Sequence, residues 1–353
     1  MPSNEGGRPL TYADVGVDLE ARRKIVKRYG AVAKRASRPE VLAGIGPFAG
    51  LFALGSKYRD PVIVASTDSV GTKVKLAALV GRYAALGHDV VNQSVNDALT
   101  CGAEPLLFLD YIASADLTAD AKVALVEGVA DACAAVGCAL LGGETADMPG
   151  LYAPADFDLV GFVVGVVERD AVIDGTAVAA GDLLFGLPSN GLHTNGYALA
   201  RAALGLALET GARAADRVRL ERDEPALGET LADALLRPHR AYCTELKVAL
   251  HLIKGMAHIT AGGLEENVPR MLAAGLGARF RRGAWPLPPI FPFIQAAGGI
   301  DEAEMYRVFN MGLGLAIAVA PADGAAFQAL VPEALEVGTV VDRKGADPTV
   351  AWA

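Results

Sequence analysis

Three short motifs place a carboxylate beside small residues, where a ligand can approach the backbone closely. The motifs are STDSVGTK (66–73), SVNDA (94–98) and GGETADMPG (142–150). Their acids are Asp68, Asp97 and Glu144. Carboxylates that lie together repel one another unless a cation stands between them, and Mg²⁺ takes oxygen ligands and bridges them to phosphates. The motifs together therefore indicate a site for Mg²⁺ and a nucleoside triphosphate.

Each motif also has a plainer interpretation. An Asp that follows a strand is more often a helix N-cap or a turn former than a metal ligand. A Gly-Gly pair more often forms a turn than a phosphate cradle. Lys73, at the end of the first motif, would act as a point cation that offsets phosphate charge. Taken singly, each motif leaves the two interpretations in balance.

Several nucleotide-binding and catalytic signatures are missing from the sequence. It contains no GxxxxGK[ST] segment, which argues against a P-loop. The glycine-rich GIGPFAG at 44–50 is one residue longer than the dinucleotide fingerprint and follows no clear strand. GxSxG, HExxH and protein-kinase signatures are absent as well. These absences argue against a Rossmann dehydrogenase, a Ser hydrolase and a zinc protease.

The composition predicts a folded protein with large buried surfaces. Of the 353 residues, 52% are hydrophobic and only 21% are charged, and this length suits two domains of ordinary size. The net charge of −9 argues against a nucleic-acid partner, which favours a basic surface. It does not argue against a nucleotide substrate, because Mg²⁺ bridges carboxylates to phosphates.

The cysteines and the apolar runs indicate a soluble, cytoplasmic protein with no membrane partner. The four cysteines lie in apolar or helical surroundings with no CxxC pair or zinc-ligand spacing, as expected of reduced thiols. The N-terminus is polar and has no apolar signal-peptide region. The longest apolar runs, at 159–167 and 313–320, are shorter than the roughly 20 residues that a membrane span needs.

Strands and helices alternate in both halves of the chain, which predicts two α/β domains. Strands are predicted at 61–66, 105–112, 138–142, 157–167, 182–187, 256–260, 312–319 and 337–341. Helices are predicted at 18–35, 118–137, 196–204, 231–253, 263–272 and 325–330, with a further one ending near Gly102. We expect an arm and helix at 1–56, one domain at 57–168 and a second at 169–353, with the boundary near 168–176.

Seven segments in the same order resemble those of phosphoribosylformylglycinamidine cyclo-ligases, also called aminoimidazole ribonucleotide synthetases. They are STDSVGTK (66–73), VNDALTCGAEPLLFLDY (95–111), GGETADMPGLY (142–152), GFVVGVVER (161–169), SNGLHTNGYALAR (189–201), ITAGGLEENVPR (259–270) and EMYRVFNMGLG (304–314). The resemblance covers nearly the whole chain, beginning at Tyr12–Asp18. The chain departs from the family at Pro47, where Gly is common, and proline removes a backbone N–H that could meet a phosphate. Ser69 likewise stands where Gly is common.

The resemblance implies a fold, an assembly and a set of ligands. The superfamily, which includes selenophosphate synthetase and thiamine-phosphate kinase, has an N-terminal ferredoxin-like α/β domain that dimerises through its sheet, and a second α/β domain. Its N-terminal acids hold Mg²⁺ and the ATP phosphates, which here implies Asp68, Asp97 and Glu144 as metal ligands. The phosphate contacts expected from the same motifs are Asp68, Gly71, Thr72, Lys73, Asn96, Gly142 and Gly143. A homodimer is also expected, because a short-stranded sheet needs its edge or face covered.

The reaction implied by the resemblance converts formylglycinamidine ribonucleotide and ATP into aminoimidazole ribonucleotide, ADP and phosphate. Phosphorylation of the formyl oxygen makes a leaving group that the amidine nitrogen displaces. The expected catalytic residues are Lys73, His193 and Asn195, with His193 moving a proton or polarising the amide. A polar cap before the helix at 196 is an equally good interpretation of His193. The substrate 5′-phosphate would bind at Ser189–Asn195 or at Thr260–Gly263, and the sequence does not choose between them.

Two other classes of function stay open at this stage. A sister kinase or synthetase of the same superfamily would share the carboxylate motifs. Residues 44–50 hold no reactive cysteine of the kind expected in a selenophosphate synthetase, and the ADMPG that follows GGET differs from thiamine-phosphate kinases. A non-catalytic nucleotide-binding protein would not need all three acids and Lys73. The remaining histidines, His88, His239, His251 and His258, show no pattern that marks them for function.

Overall fold

The computed structural model describes Asp14 and residues 19–206, 214–345 and 347–353. The helices are α1 Leu19–Ala33, α2 Lys73–Val80, α3 Ala84–Leu99, α4 Ala119–Val136, α5 Tyr197–Ala203, α6 Ala214–Glu221, α7 Leu231–Leu236, α8 Cys243–Leu246, α9 Gly263–Asn267, α10 Ile290–Gly298, α11 Glu302–Val308 and α12 Gly324–Leu330. The strands are β1 Val41–Ala43, β2 Leu51–Phe52, β3 Pro61–Ser69, β4 Glu104–Ser114, β5 Ala139–Asp147, β6 Phe157–Glu168, β7 Leu183–Pro188, β8 Asp223–Glu224, β9 Glu229–Thr230, β10 Ile253–His258, β11 Leu276–Phe280, β12 Leu313–Val319, β13 Leu335–Asp342 and β14 Val350–Trp352. Most of the predicted N-terminal arm lies outside the described residues. Among the described helices, none combines the length and apolar character that crossing a bilayer demands.

The first half of the chain forms a four-stranded sheet in the order β3-β6-β4-β5. Strand β6 pairs antiparallel with β3 and with β4, whereas β4 and β5 are parallel. The chain order β-α-β-α-β-β differs from the β-α-β-β-α-β order of a ferredoxin-like domain. The likeness to that fold is therefore limited to a four-stranded sheet with helices against it.

Alternation of side chains gives this sheet a helix-covered face and an open face. Phe108 and Ile112 of β4 are fully buried and face α3 and α4. Phe162 of β6, which is 41% exposed, pairs with Leu109 of β4 on the opposite face. We call this second surface, defined by Ile63, Leu109, Tyr111 and Phe162, the open face.

Helices α3 and α4 pack closely because glycines meet at their crossing. A Cβ added at Gly87 would lie 2.4 Å from the backbone of Leu125, and one at Gly128 would lie 2.0 Å from the carbonyl oxygen of Ala84. No other residue fits these positions without separating the helices. The contact fixes α3, which carries Asp97, against the sheet.

The second half forms a six-stranded sheet in the order β10-β12-β7-β13-β11-β14. Every residue of β12 is buried, as expected for a strand covered on both faces. The prediction of an α/β protein with two domains is confirmed by these two sheets and their helices. The first sheet ends at Glu168 and the second begins at Leu183, whereas the exact domain limits at 56, 168 and 169 stay predictions.

The long helix predicted at 231–253 is wrong. The chain forms α7 only to Leu236, and Arg237 is extended with φ −55° and ψ 127°. Pro238 causes the break, because proline lacks an N–H and disfavours a helical conformation in the residue before it. The segment 237–242 instead runs without helix to α8.

Side chains of α3 bind the backbone of segment 237–242 and join the two halves. Asn92 donates to the carbonyl of His239 at 2.6 Å, and Asn96 donates to that of Arg240 at 2.8 Å. In the other direction, the amide of His239 donates to Asp89 at 2.7 Å. These buried bonds satisfy the backbone groups that the broken helix leaves unpaired.

Candidate active site

Asp68 and Asp97 come together at the boundary of the two halves. Asp68 lies near the end of β3, and its carboxylate accepts the amide of Ser69 at 2.7 Å. Burial raises the pKa of Asp68, and the neighbouring Asp97 carboxylate adds to that rise. Two neighbouring carboxylates repel each other unless a cation neutralises them, and Mg²⁺ prefers oxygen ligands of this kind.

Asp97 is held by side chains from both halves of the chain. The hydroxyl of Ser66 donates to one carboxylate oxygen at 3.2 Å, and Nδ1–H of His258 donates to the other at 2.8 Å. A carboxylate only accepts hydrogen bonds, so His258 carries its proton on Nδ1. Strand β10 supplies His258 from a position 161 residues away in sequence.

Hydrogen bonds extend this arrangement from Asp97 into the second half. Nε2 of His258 lies 3.1 Å from Nε2 of His239, so a proton on one of these nitrogens joins the two rings by a hydrogen bond. Nδ1 of His239 in turn lies 3.2 Å from the hydroxyl of Thr194. The contacts therefore run in the order Thr194–His239–His258–Asp97.

Glu144 does not join the other two acids in the protomer. The sheet register places Asp68 beside Gly161, Gly161 beside Asp110 and Asp110 beside Gly143. The backbone of Asp68 in β3 thus lies three strand spacings, or roughly 14 Å, from strand β5, which carries Glu144. Glu144 pairs with Tyr111 on the open face and binds Arg22 at 2.8 Å. The expected convergence of three carboxylates is therefore reduced to two, and the metal role of Glu144 stays a prediction.

The predicted role of Lys73 as a phosphate contact is wrong for this structure. Its side chain is fully buried and forms an ion pair with Asp89 at 2.7 Å. Its ammonium also donates to the carbonyls of His193 at 3.1 Å and Arg237 at 2.8 Å. These three bonds use all three N–H donors, so none is left for a phosphate. Lys73 joins the two halves of the chain.

Asn96 is also contradicted as a phosphate contact. It is completely buried, its amide donates to Arg240, and its oxygen accepts the amide of Tyr242 at 3.0 Å. Both ends of the side chain are therefore occupied. Gly71 and Thr72 are exposed at the start of α2, where Gly71 has a φ of +66°. Their role in binding phosphate stays a prediction.

Gly142 and Gly143 border a cavity of about 740 Å³ beside the open face. The glycine-rich segment 44–50 forms its other wall. A Cβ at Gly143 would lie 2.4 Å from the carboxylate of Asp110. Burial raises the pKa of Asp110 to about 7, so this acid is partly protonated at neutral pH. Phosphate binding by the two glycines stays a prediction.

His193 and Asn195 lie in the turn before α5. His193 is 2% exposed, has a φ of +62° and stacks on His239 with 3.9 Å between ring centroids. Among the described residues, neither of its ring nitrogens has a hydrogen-bond partner. Burial lowers its pKa well below the usual value, so it is neutral at pH 7. Asn195 is half-buried and donates to Thr194 at 3.4 Å. The catalytic roles of both stay predictions.

A cavity of about 410 Å³ opens between the two halves next to Asp97. His258, Asn267 and Arg270 line it from the second half, and Ser66 lines it from the first. Sequence reasoning missed His258 and Arg270. The segment ITAGGLEENVPR at 259–270 resembles the family's sequence, but that sequence alone does not show that it faces Asp97.

Two family models match consecutive parts of the chain. The N-terminal domain of the AIR synthase related proteins matches residues 50–167, and the C-terminal domain of the same group matches residues 179–351. The chain also resembles solved structures of the hydrogenase maturation protein HypE in complex with ATP (TM-score 0.65, 16% identity, 98% of this chain and 94% of that chain) and of thiamine-monophosphate kinase from Stenotrophomonas maltophilia (TM-score 0.59, 18% identity, 93% and 95%). At these identities the likeness shows the fold alone.

Curated relatives match the chain over almost its full length. A protein of Geobacillus thermodenitrificans is 48% identical over 95% of this chain and 96% of its own length. One of Myxococcus xanthus is 49% identical over 95% and 97%, and one of Bordetella petrii is 46% identical over 96% and 94%. All three are named phosphoribosylformylglycinamidine cyclo-ligase. On this similarity, the chain belongs to the phosphoribosylformylglycinamidine cyclo-ligase family.

Proposed function

We propose that this protein is an ATP-dependent ligase that converts formylglycinamidine ribonucleotide into aminoimidazole ribonucleotide, with release of ADP and phosphate, in purine biosynthesis. The observation that carries the proposal is the sequence identity of 44–49% to relatives of this name over nearly the whole of both chains. The paired carboxylates of Asp68 and Asp97 beside an interdomain cavity support the same conclusion. The protein would act in the cytoplasm.

In this proposal Asp68 and Asp97 hold Mg²⁺, because their carboxylates are near enough to repel each other and are the kind of oxygen ligand that Mg²⁺ takes. When bound, Mg²⁺ neutralises charge on the ATP phosphates as the phosphoryl group is transferred. His258 and Ser66 fix the orientation of Asp97 through their bonds to its two oxygens. The chain's own contribution is thus to position groups and compensate charge. Phosphorylation of the substrate's formyl oxygen gives an imino-phosphate. The amidine nitrogen of the same molecule then displaces the phosphate and closes the ring.

We place the substrate 5′-phosphate at Thr260–Gly263 rather than at Ser189–Asn195. Arg270 lines the cavity and donates to Asn267 at 3.4 Å, and Asn267 in turn holds the carbonyl of Gly263 at 2.8 Å. A guanidinium at this position suits a phosphate. The hydroxyl of Ser189, by contrast, is buried against Asn310 at 2.8 Å.

We also propose that the protein forms a homodimer, with the open face as the interface. Phe162 and Ile63 are 41% and 53% exposed on this sheet surface, and Phe48 on the nearby glycine-rich segment is fully exposed. Contiguous apolar surface of this kind marks an interface. A second copy placed here would bring Glu144 and the 740 Å³ cavity to the subunit boundary.

The activity is tested by measuring ADP release that depends on formylglycinamidine ribonucleotide, together with the aminoimidazole product. Asp97→Asn keeps the shape of the side chain and should lower turnover by about 100-fold or more, since a carboxylate metal ligand is lost. Arg270→Gln should raise KM for the ribonucleotide and leave KM for ATP unchanged. ATP turnover on thiamine phosphate, or ATP binding without turnover, would contradict the proposal.

Assembly is tested separately by light scattering at micromolar concentration. The wild-type protein should have the mass of two chains, and Phe162→Asp should have that of one, because an unpaired carboxylate would be buried at the interface. Phe291→Leu, a change inside the second half, serves as the control and should stay dimeric. A monomeric wild type would refute the dimer and leave the activity to be judged by its own assay.

A further inference from the structure

Three of the chain's five histidines lie close together in the second half of the protein, next to its contact with the first half. His193, His239 and His258 are 2%, 1% and 5% exposed. One ring nitrogen from each lies within 4.8 Å of the others. They come from the turn before α5, from segment 237–242 and from β10, so only the folded chain brings them together. Imidazole nitrogens are common ligands of Zn²⁺ and related ions.

His193 gives the second observation, because its ring is buried without a hydrogen bond. Neither Nδ1 nor Nε2 has a partner in the described part of the chain, although a buried polar atom normally finds one. The ring lies face to face with His239, 3.9 Å between centroids, at an angle of 22°. A backbone φ of +62°, which is unfavourable for a residue with a Cβ, holds His193 in this place.

The distance between His239 and His258 and their outer contacts suit a tetrahedral ion. Two nitrogens bound to one Zn²⁺ at about 2.0 Å lie roughly 3.3 Å apart, and Nε2 of His239 is 3.1 Å from Nε2 of His258. The carboxylate of Asp97 already accepts Nδ1–H of His258 at 2.8 Å, the arrangement that orients histidine ligands of zinc. The hydroxyl of Thr194 lies 3.2 Å from Nδ1 of His239 and would orient that ring in the same way.

We propose that His193, His239 and His258 form a binding site for a divalent transition-metal ion of the Zn²⁺ class at the junction of the two halves. Binding replaces the hydrogen bond between His239 and His258. In the bound form His239 and His258 each bind through Nε2 and keep a proton on Nδ1, where Thr194 and Asp97 accept it. Rotation of the His193 side chain brings its nitrogen to the ion. The fourth position takes a water from the 410 Å³ cavity that His258 lines.

Burial also favours the metal-binding form of two of the three rings. Burial lowers the pKa of His193 and of His239 well below the usual value, and a neutral imidazole is the form that binds metal. The positive charge of Lys73 is compensated by Asp89 at 2.7 Å. The site is distinct from the proposed Mg²⁺ site because its ligands are nitrogens rather than oxygens.

The test measures metal binding to the full-length, metal-free protein without substrate or nucleotide. Zn²⁺ is titrated by calorimetry in excess Mg²⁺, which saturates the carboxylate sites. Wild type should bind one Zn²⁺ per chain, and His239→Gln should bind at least about 100-fold more weakly, since a direct ligand is lost. His251→Gln alters an exposed histidine outside the cluster and should bind like wild type.

A second measurement on the wild type keeps the result clear if the variant does not fold. Co²⁺ bound by three imidazoles in a four-coordinate site should give strong visible absorption, and a crystal grown with Zn²⁺ should show anomalous density between the three rings. Absence of stoichiometric binding, unchanged binding by folded His239→Gln, or a water in place of the ion would overturn the proposal. None of these outcomes depends on the ligase reaction.

Discussion

Replacement of Lys73 by Met should destabilise the fold rather than weaken nucleotide binding. The variant leaves Asp89 buried without its cation, although Asp89 still accepts the amide of His239 at 2.7 Å. Loss of one partner from a buried pair costs about 3–5 kcal/mol. The entropy of unfolding is about 2.1 cal/mol/K per residue, or roughly 0.7 kcal/mol/K for 353 residues, so the melting temperature should fall by roughly 4–7 °C.

A double-mutant cycle separates the ion pair from the other bonds of Lys73. Asp89→Asn removes the charge and keeps an oxygen for the amide of His239. Burial disfavours the charged form of each partner, lowering the pKa of Lys73 and raising that of Asp89, and their contact opposes both shifts. The double variant leaves no unpaired charge. It should therefore be less destabilised than the sum of the single variants, by about 2–3 kcal/mol.

The assay is thermal unfolding followed by circular dichroism, at one protein concentration and with and without Mg·ATP, since ligands and assembly shift the midpoint. Lys75→Met is the matched control, because Lys75 lies in the same helix and is a quarter exposed. It should change the midpoint much less. If Lys73→Met melts like wild type but binds Mg·ATP far more weakly, the ammonium does reach a phosphate, and the contacts described above do not represent the working enzyme.

Two further perturbations test the packing and electrostatics of the first half. Gly128→Ala should lower the melting temperature, because its Cβ would meet the Ala84 carbonyl at 2.0 Å and overpacking costs about 1–3 kcal/mol. Gly30→Ala in α1 has no atom within 4 Å of its Cβ, so it should raise the melting temperature by the equivalent of about 0.5–1 kcal/mol. Burial raises the pKa of Asp110 from 3.8 to about 7, so the folded state favours the protonated acid, and stability present at low pH should fall as the pH rises through about 7. Asp110→Asn should remove this part of the pH dependence in melting curves from pH 4 to 8, and an unchanged profile would contradict the assignment.

Much of the fold could be predicted because its signals are local. Strand β6 shows as a β-branched run in the sequence, and helix α4 shows an apolar stripe at helical spacing. The short strands β11 and β14 were not predicted, because few residues carry each pattern and pairing with neighbours defines them. The helix predicted at 231–253 failed because apolar spacing was given more weight than Pro238.

The site was less predictable because it depends on contacts between distant residues. The motif around Lys73 shows a cation next to glycines, but its partner Asp89 lies one helix later and takes its charge. Glu144 has the same chemistry as Asp68, yet strand alternation turns it to the other face of the sheet. His258 directly precedes the recognised segment 259–270 but reaches Asp97 only when β10 is placed beside α3.

The way α3 holds segment 237–242 has a consequence for how the family can diverge. Asn92 and Asn96 bind carbonyl groups, and Asp89 binds an amide, which are atoms that nearly every amino acid possesses. These three bonds therefore do not depend on which side chains the segment carries, whereas the ring of His239 makes contacts of its own. In a saturation library scored for growth without purines, the helix positions should reject almost all replacements, while Ala241 in the segment should accept many. Segment positions whose side chains make no other contact can thus change without a matching change in α3.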